Sequence, residues 1–198
     1  MEKKILSKYK NLVSIDEVGR GSLAGPLIVC GVYLSKRDFT KINSYKIRFF
    51  DSKLLSFKER KIFVNFIKNF KIKYKIIKIS NQKIDKIGIN QAFILAIFKI
   101  IKYFKNAQIF LIDGKKPRGL NFKNCLFFIK GDRKLSSISM SSILAKNYRD
   151  NLMIKISKKY PDYLFDLHKG YGTKKHIQLI KELGYTPFHR KSFLKNIF

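Results

Sequence analysis

A pair of adjacent acidic residues, Asp16 and Glu17, stands out in a chain with 13 acidic and 43 basic residues. The pair ends a short apolar run, and three glycines follow within the next eight positions. A carboxylate at the end of a buried strand must be hydrogen-bonded, paired with a cation or bound to a metal, because unpaired burial is costly. Glycine lets backbone N–H groups approach a ligand that a Cβ would hold away. The stretch from Ser14 to Pro26 therefore indicates a metal-assisted site for a phosphate-bearing substrate.

The alternative for this stretch is a strand end with solvated acids and a glycine turn. Neighbouring residues on a regular strand face opposite sides of the sheet. Asp16 and Glu17 therefore serve one site only if the strand ends or twists there, which the glycines permit.

Two further acids follow predicted apolar strands: Asp113 comes directly after 108–112, and Asp132 follows 126–130. In layered α/β folds, functional groups gather outside strand ends. Four carboxylates without cysteine or convergent histidine favour hard cations, Mg²⁺ or Mn²⁺, and two such ions suit phosphodiester hydrolysis. Taken singly, Asp113 also fits an Asp-Gly turn, and Asp132 fits a helix N-cap.

The composition limits the class of protein. A chain of 198 residues fits one domain, and 45% hydrophobic residues are enough for a core. A formal net charge of +30 predicts a polyanionic partner, with nucleic acid the obvious candidate. Lysine is used heavily throughout, together with isoleucine, asparagine and phenylalanine, and this compositional bias inflates the net charge. The sign of the charge is therefore more informative than its size. Cys30 and Cys125 are expected to be buried, reduced thiols.

The sequence shows neither a signal peptide nor an apolar run of membrane-spanning length. We therefore expect a soluble, cytoplasmic protein without a membrane partner.

Strands and helices are predicted to alternate after an opening hairpin, which favours an α/β layered domain. Ser56 and Glu59 form a capping box for a helix that runs to about residue 70, and residues 37–50 are expected to be irregular. The predicted strands are 12–17, 26–34, 71–80, 108–112 and 126–130, and the other predicted helices are 89–104, 136–159 and 174–183.

Five segments resemble, in order, motifs of bacterial ribonuclease HII: DEVGRGSLAGP, LIDGKKP, KGDRKLSSISMSSILAKNYRD, HKGYGT and GYTPFHRKSF. The resemblance implies an α/β, ribonuclease H-like fold with a mixed central sheet flanked by helices. It implies a single domain over 1–198, with a helical C-terminal extension over about 160–198. Serines in 136–142 replace the family's usual small apolar run, and we expect them to keep that helix face narrow enough for close packing.

The resemblance also assigns residue roles. It makes Asp16, Glu17, Asp113 and Asp132 the catalytic carboxylates that bind the metal, and it places Asp150 near them in a supporting role. The alternative for Asp150 is an i,i+4 ion pair on the helix with Lys146.

Substrate recognition is assigned in the same way. Gly19, Arg20 and Gly21 match the loop that contacts the nucleotide at the RNA–DNA junction, and exposed main-chain groups there could read a sugar 2′-OH. Tyr171 matches the residue that stacks on the neighbouring deoxyribose. Lys53 is a candidate phosphate contact. The alternatives are a surface cation for Arg20 and a buried tyrosine in a glycine turn for Tyr171.

The implied function is metal-dependent hydrolysis of the phosphodiester 5′ to a ribonucleotide, leaving a 3′-OH and a 5′-phosphate. The implied partners are RNA–DNA hybrids and duplex DNA with embedded ribonucleotides, the implied cofactors are two Mg²⁺ or Mn²⁺ ions, and the enzyme is expected to be a monomer. One rival is ribonuclease HIII, which carries an additional N-terminal domain for which we expect no room before Ser14. The other rival is a catalytically inactive, basic nucleic-acid-binding protein on the same fold.

Overall fold

The computed structural model describes residues 1–45 and 55–195. Within them a five-stranded sheet has the order β3-β2-β1-β4-β5. The three strands β1, β2 and β3 are antiparallel neighbours, whereas β4 and β5 run parallel to β1. The predicted mixed sheet is therefore confirmed. The strands are β1 Asn11–Val18, β2 Leu27–Ser35, β3 Tyr74–Ile79, β4 Phe110–Asp113 and β5 Cys125–Phe128.

Helices flank this sheet, as expected for the fold class. The long predicted helix is α6, and the Ser56 and Glu59 side chains form the predicted capping box at the start of α3. The helices are α1 Glu2–Lys8, α2 Lys36–Ser44, α3 Phe57–Asn69, α4 Asn81–Ile87, α5 Ile89–Tyr103, α6 Ser136–Ser157, α7 Phe165–His168, α8 Lys174–Leu183 and α9 Lys191–Leu194.

The core is split by the sheet into two apolar layers. Leu12 packs with residues of α3 and α6 on one face, whereas Val13 and Ile15 pack with α5 on the other. This alternation is the period-two pattern of a strand that is covered on both sides. It fixes which way each side chain of β1 points as the strand reaches Asp16.

The serines of α6 let the helix pack closely against β1. Ser137, Ser139 and Ser141 are fully buried, and the Ser141 hydroxyl donates to the Ser14 carbonyl at 3.0 Å. The Ser14 hydroxyl in turn donates to the Ser137 carbonyl at 2.7 Å. Small side chains thus give a narrow interface with its own hydrogen bonds, as the sequence predicted.

The expectation of an irregular segment over 37–50 was wrong for its first part. The helix α2 covers Lys36–Ser44, and the Ser35 hydroxyl accepts from the Asp38 N–H while the Asp38 carboxylate accepts from the Ser35 N–H. Residues 46–50 lie outside the described residues. The helices α1 and α4 were not predicted. None of the helices in the described ranges is long and apolar enough to cross a membrane.

Candidate active site

The sheet opens at the acidic pair because its two neighbours end at different points. β1 pairs with β2 as far as Val18, but its pairing with β4 stops at Ile15. Asp16 and Glu17 therefore lie beyond the last rung of the parallel ladder. Both line one cavity of about 330 Å³ that also contacts Asp113 and Asp132. The neighbouring carboxylates thus reach one site although they are consecutive on a strand.

Asp16 is held from two sides. Its Oδ1 accepts from the Glu17 N–H at 2.7 Å, and the Ser142 hydroxyl of α6 donates to its side chain. Burial, followed by the charges of Glu17 and Asp113, raises its pKa well above the ordinary aspartate value.

The ionised form of Glu17 is destabilised in the same way as that of Asp16. Burial raises its pKa to about 7; the Arg20 guanidinium opposes that rise, and Asp113 adds to it. Within the described residues its Oε2 atom is buried without a hydrogen-bond partner. A buried acceptor without a partner is costly, and a cation would relieve the cost.

Asp113 and Asp132 are brought together by a tight turn. Asp113 is the last residue of β4, and its Oδ1 accepts from the Gly131 N–H at 2.6 Å. Asp132 follows in a short 3₁₀ helix, Gly131–Arg133, and is 9% exposed. A Cβ on Gly131 would lie 2.7 Å from Ile138 Cδ1 and 3.0 Å from Phe128 Cβ, so a larger residue would force side chains of α6 and β5 to shift.

The four carboxylates fit a hard divalent cation by their chemistry. All donors are oxygens from acidic side chains, and mutual repulsion and the unpartnered Glu17 oxygen leave the cavity short of positive charge. Among residues 1–45 and 55–195, no group of three or more histidine, cysteine, aspartate or glutamate side chains is already arranged to hold a metal ion. The acids share one cavity, then, without a finished ligand set.

Asp150 lies behind this cavity and is paired with two cations. It is 2% exposed and accepts from Arg60 Nη2 and from Lys146 Nζ, each at 2.9 Å. The i,i+4 ion pair considered as an alternative is therefore present. Lys146 lines the cavity, so Asp150 touches the site through this lysine.

Gly19, Arg20 and Gly21 begin the glycine loop, residues 19–26, directly after Glu17 and Val18 of the cavity wall, and they lie in different surroundings. Gly19 is buried and has φ +85°, whereas Gly21 is exposed with open space where a Cβ would be. Arg20 Nη1 is 3.5 Å from Glu17 Oε1, and its Nη2 donates to Asn90 at 2.7 Å. Arg20 is thus held at the edge of the acidic cluster while its side chain stays 41% exposed.

Tyr171 joins the acids in the same cavity. Its ring centroid is 5.3 Å from Arg149 Cζ and 5.9 Å from Lys146 Nζ, distances at which a cation is attracted to a ring face. Lys53 lies outside the described residues, so its assignment stays a prediction.

The histidines form a buried cluster that does not line the acidic cavity. His176 Nε2 and His189 Nε2 are 3.1 Å apart, and the His168 and His176 rings stack at 4.0 Å. Burial lowers the pKa values of His176 and His189 to about 4. At neutral pH these rings are uncharged, which agrees with a structural role.

Three residues near the site were given no role from the sequence, namely Ser142, Arg149 and Arg190, and Lys146 was named only as an ion-pair partner of Asp150. Ser142 and Lys146 line the cavity. Arg149 and Arg190 are fully buried beneath the glycine loop. All four lie within motifs quoted above, but nothing in the type or spacing of the two arginines reveals which distant backbone atoms they contact.

Comparison with known proteins identifies the family. The family model described as Ribonuclease HII matches residues 13–196. The chain belongs to the ribonuclease HII family. It is 42% identical over 200 residues to ribonuclease HII of Caldicellulosiruptor bescii, covering 100% of this chain and 93% of that one. It is 41% identical over 190 residues to ribonuclease HII of Helicobacter pylori, covering 93% of this chain and 92% of that one.

Solved structures support the fold. Ribonuclease H2 from Pyrococcus horikoshii superposes with a TM-score of 0.72 at 22% identity, covering 92% of this chain and 93% of that one. Ribonuclease HII from Archaeoglobus fulgidus, solved in a complex with PCNA, superposes with a TM-score of 0.71 at 23% identity, covering 91% and 92%. Bst-RNase HIII in complex with Mn²⁺ gives 0.68 at 16% identity, covering 92% and 64%.

Membership of the ribonuclease HII family gives the activity. The protein is a metal-dependent endoribonuclease that acts on RNA–DNA hybrids. This finding favours the enzyme over the inactive nucleic-acid-binding protein, and the family match favours ribonuclease HII over ribonuclease HIII.

Proposed function

We propose that Asp16, Glu17, Asp113 and Asp132 hold two divalent cations, Mg²⁺ or Mn²⁺, and cut the phosphodiester on the 5′ side of a ribonucleotide. The products are a 3′-OH and a 5′-phosphate, and the substrates include duplex DNA with a single embedded ribonucleotide. The observation that carries the proposal is the shared cavity: four acids from three separate segments line it together with Tyr171. A pure binding protein gains nothing from negative charge that faces phosphates.

The chain prepares the acids for this role through fixed neighbours. The Ser142 hydroxyl and the Glu17 N–H orient Asp16, and the Gly131 N–H orients Asp113. When bound, the cations supply charge that activates water and stabilises the leaving oxygen. The Mn²⁺ in the similarly folded Bst-RNase HIII supports a divalent ion. Asp150 acts behind the site by holding Lys146 at the cavity wall.

Ribose recognition falls to the glycine loop and Tyr171. The 2′-OH is the group that distinguishes RNA from DNA. Gly21 is exposed and carries no side chain that would keep a sugar away from its backbone. Tyr171 lies in the cavity with the acids, where its ring is available to stack on the deoxyribose that follows the ribonucleotide. We propose Lys53 as a backbone phosphate contact.

The large positive charge serves substrate binding. Contacts of several lysines and arginines with phosphates release counterions, so affinity falls steeply as salt rises.

We further propose that residues 1–198 form one domain, with the segment from about residue 160 carrying Tyr171. We also propose that the enzyme works as a monomer in the cytoplasm.

The test is to map cleavage of a labelled DNA duplex that contains one ribonucleotide, with Mg²⁺ or Mn²⁺. We expect a single cut on its 5′ side, a 3′-OH on the upstream product, and a loss of at least about 100-fold in rate for Asp16→Asn, since removal of one preorganised group costs about 10² to 10³. Asp162→Asn, on the exposed surface, is the matched control and should keep full activity. A cut on the 3′ side, or an active Asp16→Asn, would refute the proposal.

A further inference from the structure

Two fully buried arginines, Arg149 and Arg190, lie beneath the glycine loop, and in the part of the chain that the structure describes each donates to three backbone carbonyls. Arg149 donates through Nε to Pro26 at 3.0 Å, through Nη2 to Ala24 at 3.0 Å and through Nη1 to Lys169 at 2.8 Å. The acceptors of Arg149 thus belong to two separate segments: the glycine loop, and the turn that leads to Tyr171.

Arg190 donates to three further carbonyls of the glycine loop. It donates through Nε to Gly25 at 2.9 Å, through Nη1 to Arg20 at 3.0 Å and through Nη2 to Gly19 at 2.7 Å. Five of the six carbonyls held by the two arginines therefore lie between residues 19 and 26. A guanidinium is a rigid planar fork of N–H donors, so each arginine fixes three carbonyls in one geometry.

The backbone of the loop rests directly on this support. A Cβ on Gly19 would lie 2.2 Å from Arg149 Nε. The Gly170 carbonyl accepts from the N–H groups of Leu23 and Ala24 at 2.8 and 3.1 Å. The glycine loop and the Tyr171 turn are thus joined by backbone hydrogen bonds as well as through Arg149.

The burial of two charged arginines costs free energy, so stability alone does not explain their presence. Burial lowers the pKa of Arg149, and burial together with the like charge of Arg149 lowers the pKa of Arg190 to about 9. Taking a charge out of water is costly, and the interactions that it gains in the interior often do no more than offset that cost. What an apolar replacement would lose is the fixed arrangement of six carbonyls.

We propose that Arg149 and Arg190 are positioning residues that hold the glycine loop and the Tyr171 turn as one rigid unit, and so set the selectivity for an isolated ribonucleotide. This inference rests on the proposed function, in which those two segments read the ribose and the deoxyribose beside it. A single ribonucleotide can be bound in only one position, so the glycine loop and Tyr171 must both contact the substrate at that position. A long RNA–DNA hybrid offers a ribose at every step, so it tolerates a looser arrangement.

The test combines amide hydrogen exchange with kinetics on two substrates. For Arg149→Met we expect at least about tenfold faster exchange at Leu23 and Ala24, with strand β2 still protected. We expect the ratio of kcat/KM for the embedded ribonucleotide to kcat/KM for the long hybrid to fall at least about tenfold, because small misplacements cost up to about 10² in rate. Arg149→Lys should not restore the ratio, since one ammonium cannot replace the fork.

The control is Ile67→Ala, a fully buried change in α3 that leaves the loop untouched. It should lower stability while leaving the ratio and the loop exchange unchanged. If Arg149→Met does not fold, Arg149→Lys and Arg190→Lys keep charge and most of the volume, and we expect the same loss from each. Unchanged exchange and an unchanged ratio in these variants would overturn the inference. If the wild type leaves the embedded ribonucleotide uncut, the proposed function fails, and the exchange data alone still decide whether the arginines join the segments.

Discussion

Substitution by alanine should lower the stability of the fold at Gly19 but not at Gly21, although both glycines belong to the same loop. Gly19 is buried with φ +85°, and a Cβ there would lie 2.2 Å from Arg149 Nε and 2.8 Å from its Cδ. Gly21 is exposed, its φ lies outside the left-handed region, and nothing stands within 4 Å of the added Cβ. The methyl group therefore disturbs the fold at one position and only the outer surface at the other.

The structure gives a magnitude for each change. At Gly19 the left-handed backbone costs an alanine about 1–2 kcal/mol, and overpacking against Arg149 adds about 1–3 kcal/mol. A total of roughly 2–5 kcal/mol lowers Tm by about 4–20 °C in a chain of this length. At Gly21 the alanine fits, and the free energy of unfolding should stay the same or rise by about 0.4–1 kcal/mol through the unfolded state.

The assay is thermal unfolding together with cleavage of the single-ribonucleotide duplex. Gly19→Ala should lose both stability and activity, whereas Gly21→Ala should keep its Tm and still lose cleavage, because its methyl group occupies the surface that we propose meets the sugar. Full activity in Gly21→Ala would refute the assignment of this backbone to the substrate. A Tm within about 1 °C of the wild type in Gly19→Ala would refute the tight contact with Arg149.

Three further predictions concern charge. Because His176 and His189 have pKa values of about 4 in the fold against an ordinary 6.5, the unfolded chain binds more protons. The free energy of unfolding should therefore fall between pH 6.5 and 4, by at most about 3 kcal/mol per histidine, in urea titrations; a flat profile would contradict this. Asp150→Asn should destabilise the fold by about 3 kcal/mol in urea, because Arg60 keeps a buried charge, whereas Asp162→Asn should change little; equal midpoints would contradict the buried network. Mg²⁺ at a hundred times its Kd should raise the Tm of the wild type by about 5–10 °C, and calorimetry of Asp16→Asn should show a much smaller rise; an equal rise would place the ion elsewhere.

Much of the fold follows from patterns that are local in sequence. The Ser56 and Glu59 capping box predicted the start of α3, and the alternation around Ile15 agreed with a strand covered on both faces. The cap of α2 uses Ser35 with an aspartate instead of the expected glutamate or glutamine. Because aspartate stands where the capping-box pattern has glutamate or glutamine, the sequence did not indicate a helix start there, and the segment was predicted as irregular.

The parts that could not be predicted depend on contacts between distant residues. The carboxylate of Glu2 accepts from the N–H groups of Ser136 and Ser137, so α6 is capped by a residue more than 130 positions away. Arg149 and Arg190 are equally hidden, because their acceptors are main-chain carbonyls whose positions depend on the folded loop. By contrast, the four acids lie at the ends of strands or just beyond them, and strand ends are places that a sequence reveals.

The most direct measurement is a crystal structure with Mn²⁺ and a duplex carrying one ribonucleotide, using the anomalous signal of the metal to locate it. We expect Mn²⁺ within about 2.0–2.4 Å of oxygens from Asp16, Glu17, Asp113 and Asp132, the range for hard divalent ions on carboxylates. We also expect the ribose against Gly19–Gly21 and the next deoxyribose on the Tyr171 ring. Ions bound away from these carboxylates, or a ribonucleotide that contacts neither the loop nor Tyr171, would contradict the proposed function.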